Sequence, residues 1–318
     1  MPCFHPLHGY KSPKNGKWIS EQNSPLFHKW EPLSIPCNKC TGCRTEYSRQ
    51  WAMRITHEAS LWQRTSGNTF ITLTYNDNWL PTHNTLIKRD FTLFMKRLRK
   101  KRKSNKQNPI RFYMCGEYGE KSDRPHYHAI LFNTLFKKED KIGKNLYTST
   151  ELQDLWSWTN PENKSQKESM GYVSHGDVTF QSAAYVANYV QKKINGKKKD
   201  QHYKIKNPLD KKTGVYLTHR QQEYAQMSRK PGIAGDWLTQ WKDEVYRNDS
   251  IHIDGRKMKP PKYYDRQMEI LEPQKIAIIK AQRKIEMESL QHLFTPEALK
   301  QKEVHHKAKM ALYKRNQL

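Results

Sequence analysis

Acidic residues are scarce in this chain, and long apolar runs are absent. Asp and Glu number 31 against 57 Lys and Arg in 318 residues, a formal net charge of +26. With a pI near 9.8, the imbalance points to a polyanionic partner and says little about fold. The blander reading is a generically basic, well-solvated surface. No apolar run approaches the ~20 residues that a membrane span requires, so nucleic acid is expected as the polyanion and a membrane is not. The start, Met1-Pro-Cys-Phe-His5, lacks the basic-then-apolar order of a secretory signal, and none is expected. A G-x-x-x-x-G-K-[ST] sequence is also missing. The chain therefore carries no recognisable P-loop and is not expected to be its own helicase. No internal repeat occurs. Hydrophobic residues make up 35% of the chain, few for this length, which predicts a medium-sized core with basic appendages.

Against that background, Arg124-Pro-His-Tyr-His-Ala-Ile-Leu-Phe132 stands out. It places two histidines one residue apart in an otherwise apolar segment of strand character. On a strand, side chains at i and i+2 share a face. His126 and His128 then project together while Tyr127 turns away. Two imidazoles so placed are half of a divalent-metal site. Glu117 ends the preceding apolar run, Ile110 to Cys115, and can complete a His-His-Glu set if the two segments pair as a hairpin. Glu120 is the second choice of carboxylate, because it lies farther from the strand that would fix its direction. The alternative is a strand with two satisfied core histidines.

Ser182-Ala-Ala-Tyr-Val-Ala-Asn-Tyr-Val-Gln-Lys-Lys193 reads as a helix with Ser182 as its N-cap. Tyr185 and Tyr189 are four apart and share a face, and Lys192 falls within reach of it. Tyrosines at this spacing commonly pack on a core. A phenol with a pKa near ~10 is also a poor nucleophile at neutral pH, and it needs an activated electrophile and a nearby positive charge. This chain offers both.

The five cysteines are Cys3, Cys37, Cys40, Cys43 and Cys115. Cys37, Cys40 and Cys43 form a C-x-x-C-x-x-C run, and Cys3 can supply a fourth thiolate. Tetrahedral thiolate sites favour zinc, and reduced thiols fit an intracellular chain. No second C-x-x-C pair is present, so the spacing is not that of a standard ribbon. Reduced structural cysteines beside a turn at Gly42 and an iron–sulfur cluster are the alternatives. Cys115 lies in a strand and is expected in the core.

Periodicity predicts a helix over 44–64, closed by Gly67, then a strand over 69–75. A helix capped by Asp90 follows, with Phe91, Phe94, Met95 and Leu98 on its apolar face, running into Arg99-Lys-Lys-Arg-Lys103. Strands are predicted at 110–117 and 126–132. This order fits an α+β domain with one antiparallel sheet. The expected division is 1–65, a cysteine-containing segment and helix; 66–195, the catalytic core; 196–272, a basic, turn-rich DNA-binding region; and 273–318, a charged helical tail. The paired prolines Pro260 and Pro261 mark a break within the third part.

The chain resembles the replication initiators of small single-stranded DNA bacteriophages, the microviruses, most closely the gokushovirus branch, within the HUH endonuclease superfamily. Phe70-Ile-Thr-Leu-Thr-Tyr75 is similar to the first strand motif, Pro125-His-Tyr-His128 to the paired-histidine motif, and Tyr185-Val-Ala-Asn-Tyr-Val-Gln-Lys192 to the two-tyrosine helix. Pro36 to Arg44 and Met227 to Gly232 are also similar to stretches of that branch, so the resemblance runs from about residue 36 to 240. Asn188 departs from the pattern, standing where a basic residue often follows the first tyrosine. Conjugative relaxases carry their tyrosines before the histidines; the order here favours the initiator branch.

The resemblance implies a five-stranded antiparallel sheet with flanking helices, an active site on one face, and a basic helical C-terminal extension. It implies a rolling-circle initiator that nicks viral replicative-form DNA at the origin through a 5′-phosphotyrosine, then transfers the strand and closes the circle. His126, His128 and Glu117 would hold Mg²⁺ or Mn²⁺, Tyr185 and Tyr189 would be the nucleophiles, and Lys192 would assist them. Tyr189 is expected to be the better nucleophile in a single cut, because Lys192 lies three residues on where Tyr185 has Asn188. The partners implied are viral DNA and the host's helicase and DNA polymerase, in the bacterial cytoplasm. Two other classes fit less of the pattern: a plasmid-type HUH initiator or transposase, and a non-catalytic basic DNA-binding or packaging protein.

Overall fold

Asn68–Tyr75 (β1) alternates β-branched and aromatic side chains, and the alternation sorts them by face. Ile71, Leu73 and Tyr75 are fully buried on one side, while Phe70, Thr72 and Thr74 point to the other. The computed structural model describes residues 3–21, 30–120, 122–163, 165–189, 198–210 and 214–315. It divides into two units, Gln50–Pro261 and a second made of Met1–Arg49 with Lys262–Leu318.

The first unit is built on a mixed-length antiparallel sheet. Its strands are β1, Arg111–Tyr118 (β2), Pro125–Phe132 (β3), Lys141–Gly143 (β4), Leu146–Tyr147 (β5), Gly171–Asp177 (β6) and Tyr224–Met227 (β7). Their order is β7-β2-β3-β1-β6-β5-β4, with every neighbouring pair antiparallel. The sheet therefore has seven strands and not the expected five. The difference lies in β4 and β5, three and two residues long, which join the edge through the single register pair His175↔Tyr147. Segments of two and three residues are too short to show a period-two pattern.

Helices cover both faces. On one, Lys88–Lys101 (α2) presents Phe91, Phe94, Met95 and Leu98 at the i, i+3, i+4, i+7 spacing of a single stripe. These side chains and the short helix Thr150–Leu155 (α3) pack on Ile71, Leu73, Tyr127 and Leu131. Burial of each large side chain stabilises by about 1.5–3 kcal/mol before entropy is counted. Asp90 does not cap α2. The helix begins two residues earlier, after Ile87, and the Asp90 carboxylate instead accepts the Tyr75 hydroxyl at 2.6 Å. Tyr75 in turn meets the Tyr127 hydroxyl at 2.8 Å, so a buried polar chain ties α2 to β1 and β3.

On the other face lie Thr41–Ser60 (α1) and Phe180–Tyr189 (α4), through Ala52, Ile55, Ala183 and Val186. They cover Phe70, Tyr113, Ile130, Phe132 and Cys115, the last in the core as expected. α1 ends at Ser60, short of the expected 64, and a turn leads to Gly67, whose φ of 68° is left-handed. A Cβ there would also meet the Leu135 side chain at 2.6 Å, so both backbone and space call for glycine. α4 opens at Phe180, before the expected Ser182. Thr179 is its cap: its hydroxyl accepts the Ser182 N–H at 3.1 Å, and the Ser182 hydroxyl accepts the Thr179 N–H at 2.8 Å. Gly235–Arg247 (α5) follows β7 in the chain.

The second unit holds the ribbon Gly9–Lys11 with Trp18–Ser20, and three helices, Lys262–Leu271 (α6), Pro273–Ser289 (α7) and Pro296–Arg315 (α8). Pro273 takes the first turn of α7, where its missing N–H costs nothing. Arg283 of α7 pairs with Asp265 of α6 through two bonds, at 2.7 and 3.1 Å. Among the described residues, no helix is long and apolar enough to cross a membrane.

Candidate functional site

The site grows out of the β2–β3 hairpin. Its register pairs Glu117 with His126 and Cys115 with His128. Residues 117, 126 and 128 thus share the face that α1 and α4 cover, while Tyr127 is buried on the opposite face. His126 Nε2 stands 2.7 Å from Glu117 Oε1, and His128 Nε2 stands 3.0 Å from the same oxygen. The two rings meet edge to face, with centroids 4.9 Å apart.

Each imidazole is oriented by its other nitrogen. His126 Nδ1 lies 3.0 Å from the Arg124 carbonyl, which can only accept, so Nδ1 carries a proton. His128 Nδ1 lies 2.9 Å from the Thr72 hydroxyl, its register partner on β1. A neutral His126 then directs the Nε2 lone pair at a carboxylate oxygen. Two acceptors 2.7 Å apart are compatible only with something positive between them, a proton or a metal ion. Burial by itself would raise the Glu117 carboxyl, but the hydrogen bonds with His126 and His128 outweigh it and hold the carboxyl below its usual range. The donor set of two imidazole nitrogens and a carboxylate, all within 4.8 Å of one another, is one that could hold a divalent ion. Glu120, the second-choice carboxylate, is exposed and outside this set.

α4 brings Tyr185 to the same place. Its ring packs edge-on against His128 at 5.4 Å and against Phe70 at 6.3 Å, and it remains 43% exposed. Tyr189 lies on the last turn of α4; its side chain and Lys192 fall outside the described residues. Cys3, Cys37, Cys40 and Cys43 come together in the other unit, all as free thiols. Sequence reasoning missed Thr72. The available signal was its position on β1, two residues from Phe70 on the same face, where a hydroxyl interrupts an apolar strand motif.

The model of the family described as replication-associated protein ORF2/G2P matches residues 68–197, a span that runs from β1 past α4. The chain is 30% identical over 278 residues to the replication-associated protein VP4 of Bdellovibrio phage phiMH2K, covering 83% of this chain and 76% of that one. It is 31% identical over 250 residues to the replication-associated protein ORF2 of Spiroplasma virus 4, covering 74% and 68%. With the replication-associated protein ORF4 of Chlamydia phage 1 the identity is 32% over 192 residues, 57% of this chain and 44% of that one. No solved structure matches. With such identity sustained over more than two thirds of two of these proteins, the chain belongs to the microvirus replication initiators, in the ORF2/G2P family of replication-associated proteins.

Proposed function

We propose that this initiator starts rolling-circle replication of phage DNA by nicking one strand at the origin and holding its 5′ end on a tyrosine. The observation that carries the reading is the convergence of His126 and His128 on one oxygen of Glu117, with Tyr185 against His128. His126, His128 and Glu117 would hold Mg²⁺ or Mn²⁺. When bound, the ion draws charge from a non-bridging phosphate oxygen and so stabilises the crowded transition state.

The protein's own groups do the rest. A phenolate oxygen of Tyr185 or Tyr189 forms the new bond to phosphorus as the bond to the 3′-oxygen breaks. The phenolic proton leaves to solvent, and the 3′-oxygen takes one up. Lys192 favours the phenolate and the charge building on the phosphate. The basic surface, +26 overall, supplies the phosphate contacts that hold the strand. After one round the regenerated origin is cut by the second phenol while the first still carries DNA. The new 3′-OH then attacks the older phosphotyrosine and closes the displaced circle. Transesterification conserves the phosphodiester energy, which accords with a chain that lacks a P-loop. Strand opening and synthesis fall to helicase and polymerase of the host cell.

The test is a supercoiled plasmid carrying the phage origin, incubated with the protein and Mg²⁺. Nicked circles with protein covalently attached are expected, and mass spectrometry of the joined peptide identifies the residue. Tyr189→Phe is expected to slow the first cut more than Tyr185→Phe, and each single variant to fail at circle closure. Salt-sensitive binding without any covalent adduct would replace this reading with that of a DNA-binding protein. Closed circles released at the normal rate by Tyr185→Phe would return that residue to a packing role.

A further inference from the structure

We propose that Cys3, Cys37, Cys40 and Cys43 form a closed zinc site that fastens the N-terminal segment to the start of α1. Spacing is the first support. Cys3 Sγ and Cys40 Sγ are 3.9 Å apart, and all four sulfurs lie within 4.8 Å of one another. A disulfide would need ~2.05 Å. A tetrahedron of sulfurs around one zinc at about 2.3 Å has edges of about 3.8 Å. The thiols therefore stand at ligand spacing and not at bonding distance. A cluster of several irons would divide the four thiolates among different metal atoms and hold them farther apart.

Backbone donors give the second support. The N–H groups of Cys37, Cys40, Cys43 and Phe4 point at the sulfurs of Cys3, Cys37, Cys40 and Cys40, at 3.2, 3.3, 3.4 and 3.4 Å. A neutral thiol is a weak acceptor, whereas a thiolate is a strong one. With the Lys39 N–H, 3.5 Å from Cys37 Sγ, five amides are aimed at one knot of sulfur, which suits charged ligands. The turn that makes this possible passes through Asn38, held in the left-handed region at φ 57°. Four converging thiolates would repel one another without a cation, and a divalent ion removes that cost.

Three ligands come from one C-x-x-C-x-x-C turn and the fourth from a residue 34 positions earlier. The site thus closes a loop whose two arms also pair through Leu7 and Ile35, each N–H donating to the other's carbonyl at 2.9 Å, and it pins the ends beyond that pairing. It uses none of the residues of the nicking reading and stands whether or not that reading does.

The test uses the full chain, purified without chelators from zinc-supplemented cells. One zinc per chain is expected by elemental analysis. Its four ligand thiols should resist alkylation until a chelator strips the metal. Replacement by Co²⁺ should give the strong visible bands of a tetrahedral thiolate complex, and Cys3→Ser should weaken their sulfur-to-cobalt component. Cys3→Ser should also lose zinc to a chromophoric chelator that leaves the parent chain loaded. A folded, metal-free chain with all four thiols reactive would overturn the proposal, as would iron in place of zinc. Cys3→Ser holding zinc as tightly as the parent would remove Cys3 from the site. Should Cys40→Ser fail to fold, the parent's cobalt spectrum and thiol protection decide the matter.

Discussion

Strand β2 carries a buried charged group at each end of one face. At its start Arg111 faces Glu58 of α1, with Arg111 Nε 2.5 Å from Glu58 Oε1. At its finish Glu117 faces His126 and His128. Glu58 is 1% exposed and Glu117 2%, so desolvation weighs on both almost equally. Their partners differ in kind. A guanidinium is charged at every pH a protein meets, and the other Glu58 oxygen accepts the Ala234 N–H at 2.6 Å. Arg111 adds bonds to the carbonyls of Pro231 and Gly232, at 2.9 and 3.2 Å. That end is a finished structural joint. At the other end the counter-charge depends on a proton or on a metal ion, because imidazoles are the partners. One strand thus separates a carboxylate that holds the fold from one that can hold a reactant.

The most forceful way to test the contrast is to break the structural end. Glu58→Ala leaves Arg111 buried beside a lost carboxylate, a change that costs about 3–5 kcal/mol. Urea unfolding should show that loss, while nicking per folded molecule stays near normal. Replacing both partners, Glu58→Leu with Arg111→Met, should recover part of the stability. An unchanged urea midpoint in Glu58→Ala would erase the contrast.

Breaking the other end should do the reverse. His128→Ala is expected to lower nicking on the order of 10³-fold, the scale of losing a main electrostatic stabiliser. That corresponds to about 4 kcal/mol of barrier. Salt-dependent DNA binding, measured by anisotropy, should move little, because phosphate contacts come from the basic surface. Full nicking by the His126→Ala, His128→Ala double variant would sink the metal assignment. A gentler change sharpens the point. Thr72→Val keeps the shape but removes the hydroxyl that orients His128 Nδ1. As a positioning residue it should cost about 10–100-fold in metal affinity and activity, and Thr72→Ser should restore both. Equal losses in the Val and Ser variants would indicate packing as the cause.

How much of this was legible follows from what each signal depends on. The meeting of Glu117, His126 and His128 could be read because a hairpin fixes faces by period two, and the two strands are close in sequence. The stripe on α2 was legible for the same reason at period 3.6. Asp90 misled because a carboxylate ahead of a stripe looks like a cap, and only the tertiary neighbour Tyr75 shows its other use. Thr179 and Ser182 bond each other reciprocally, so either resembles the cap. The strands β4 and β5 were hidden by their brevity, and Thr72 by a partner 56 residues away on another strand. Cys3 could be named as a fourth thiol but not located, since spacing alone does not bring residue 3 to residue 37.

The mildest probe of the contrast is a proton. Hydrogen bonds with two imidazoles hold the Glu117 carboxyl below its ordinary range against the upward push of burial. In the unfolded chain the same group titrates near ~4.3. As pH falls past that value the unfolded state takes up the proton first, so stability declines as pH falls. The contribution is therefore fully present above the unfolded value and is lost as pH drops through the lower, folded one. Glu117→Gln removes the titration while keeping the shape. In buffer free of Mg²⁺ and Mn²⁺, the gap between the urea midpoints of the parent and the variant should close as the pH falls below about 4.3. Any zinc lost from the cysteines in acid is common to both chains and cancels in the difference. Parallel curves down to the lowest pH would mean that Glu117 is not held ionised by the histidines, and the two ends of β2 would then differ in geometry alone.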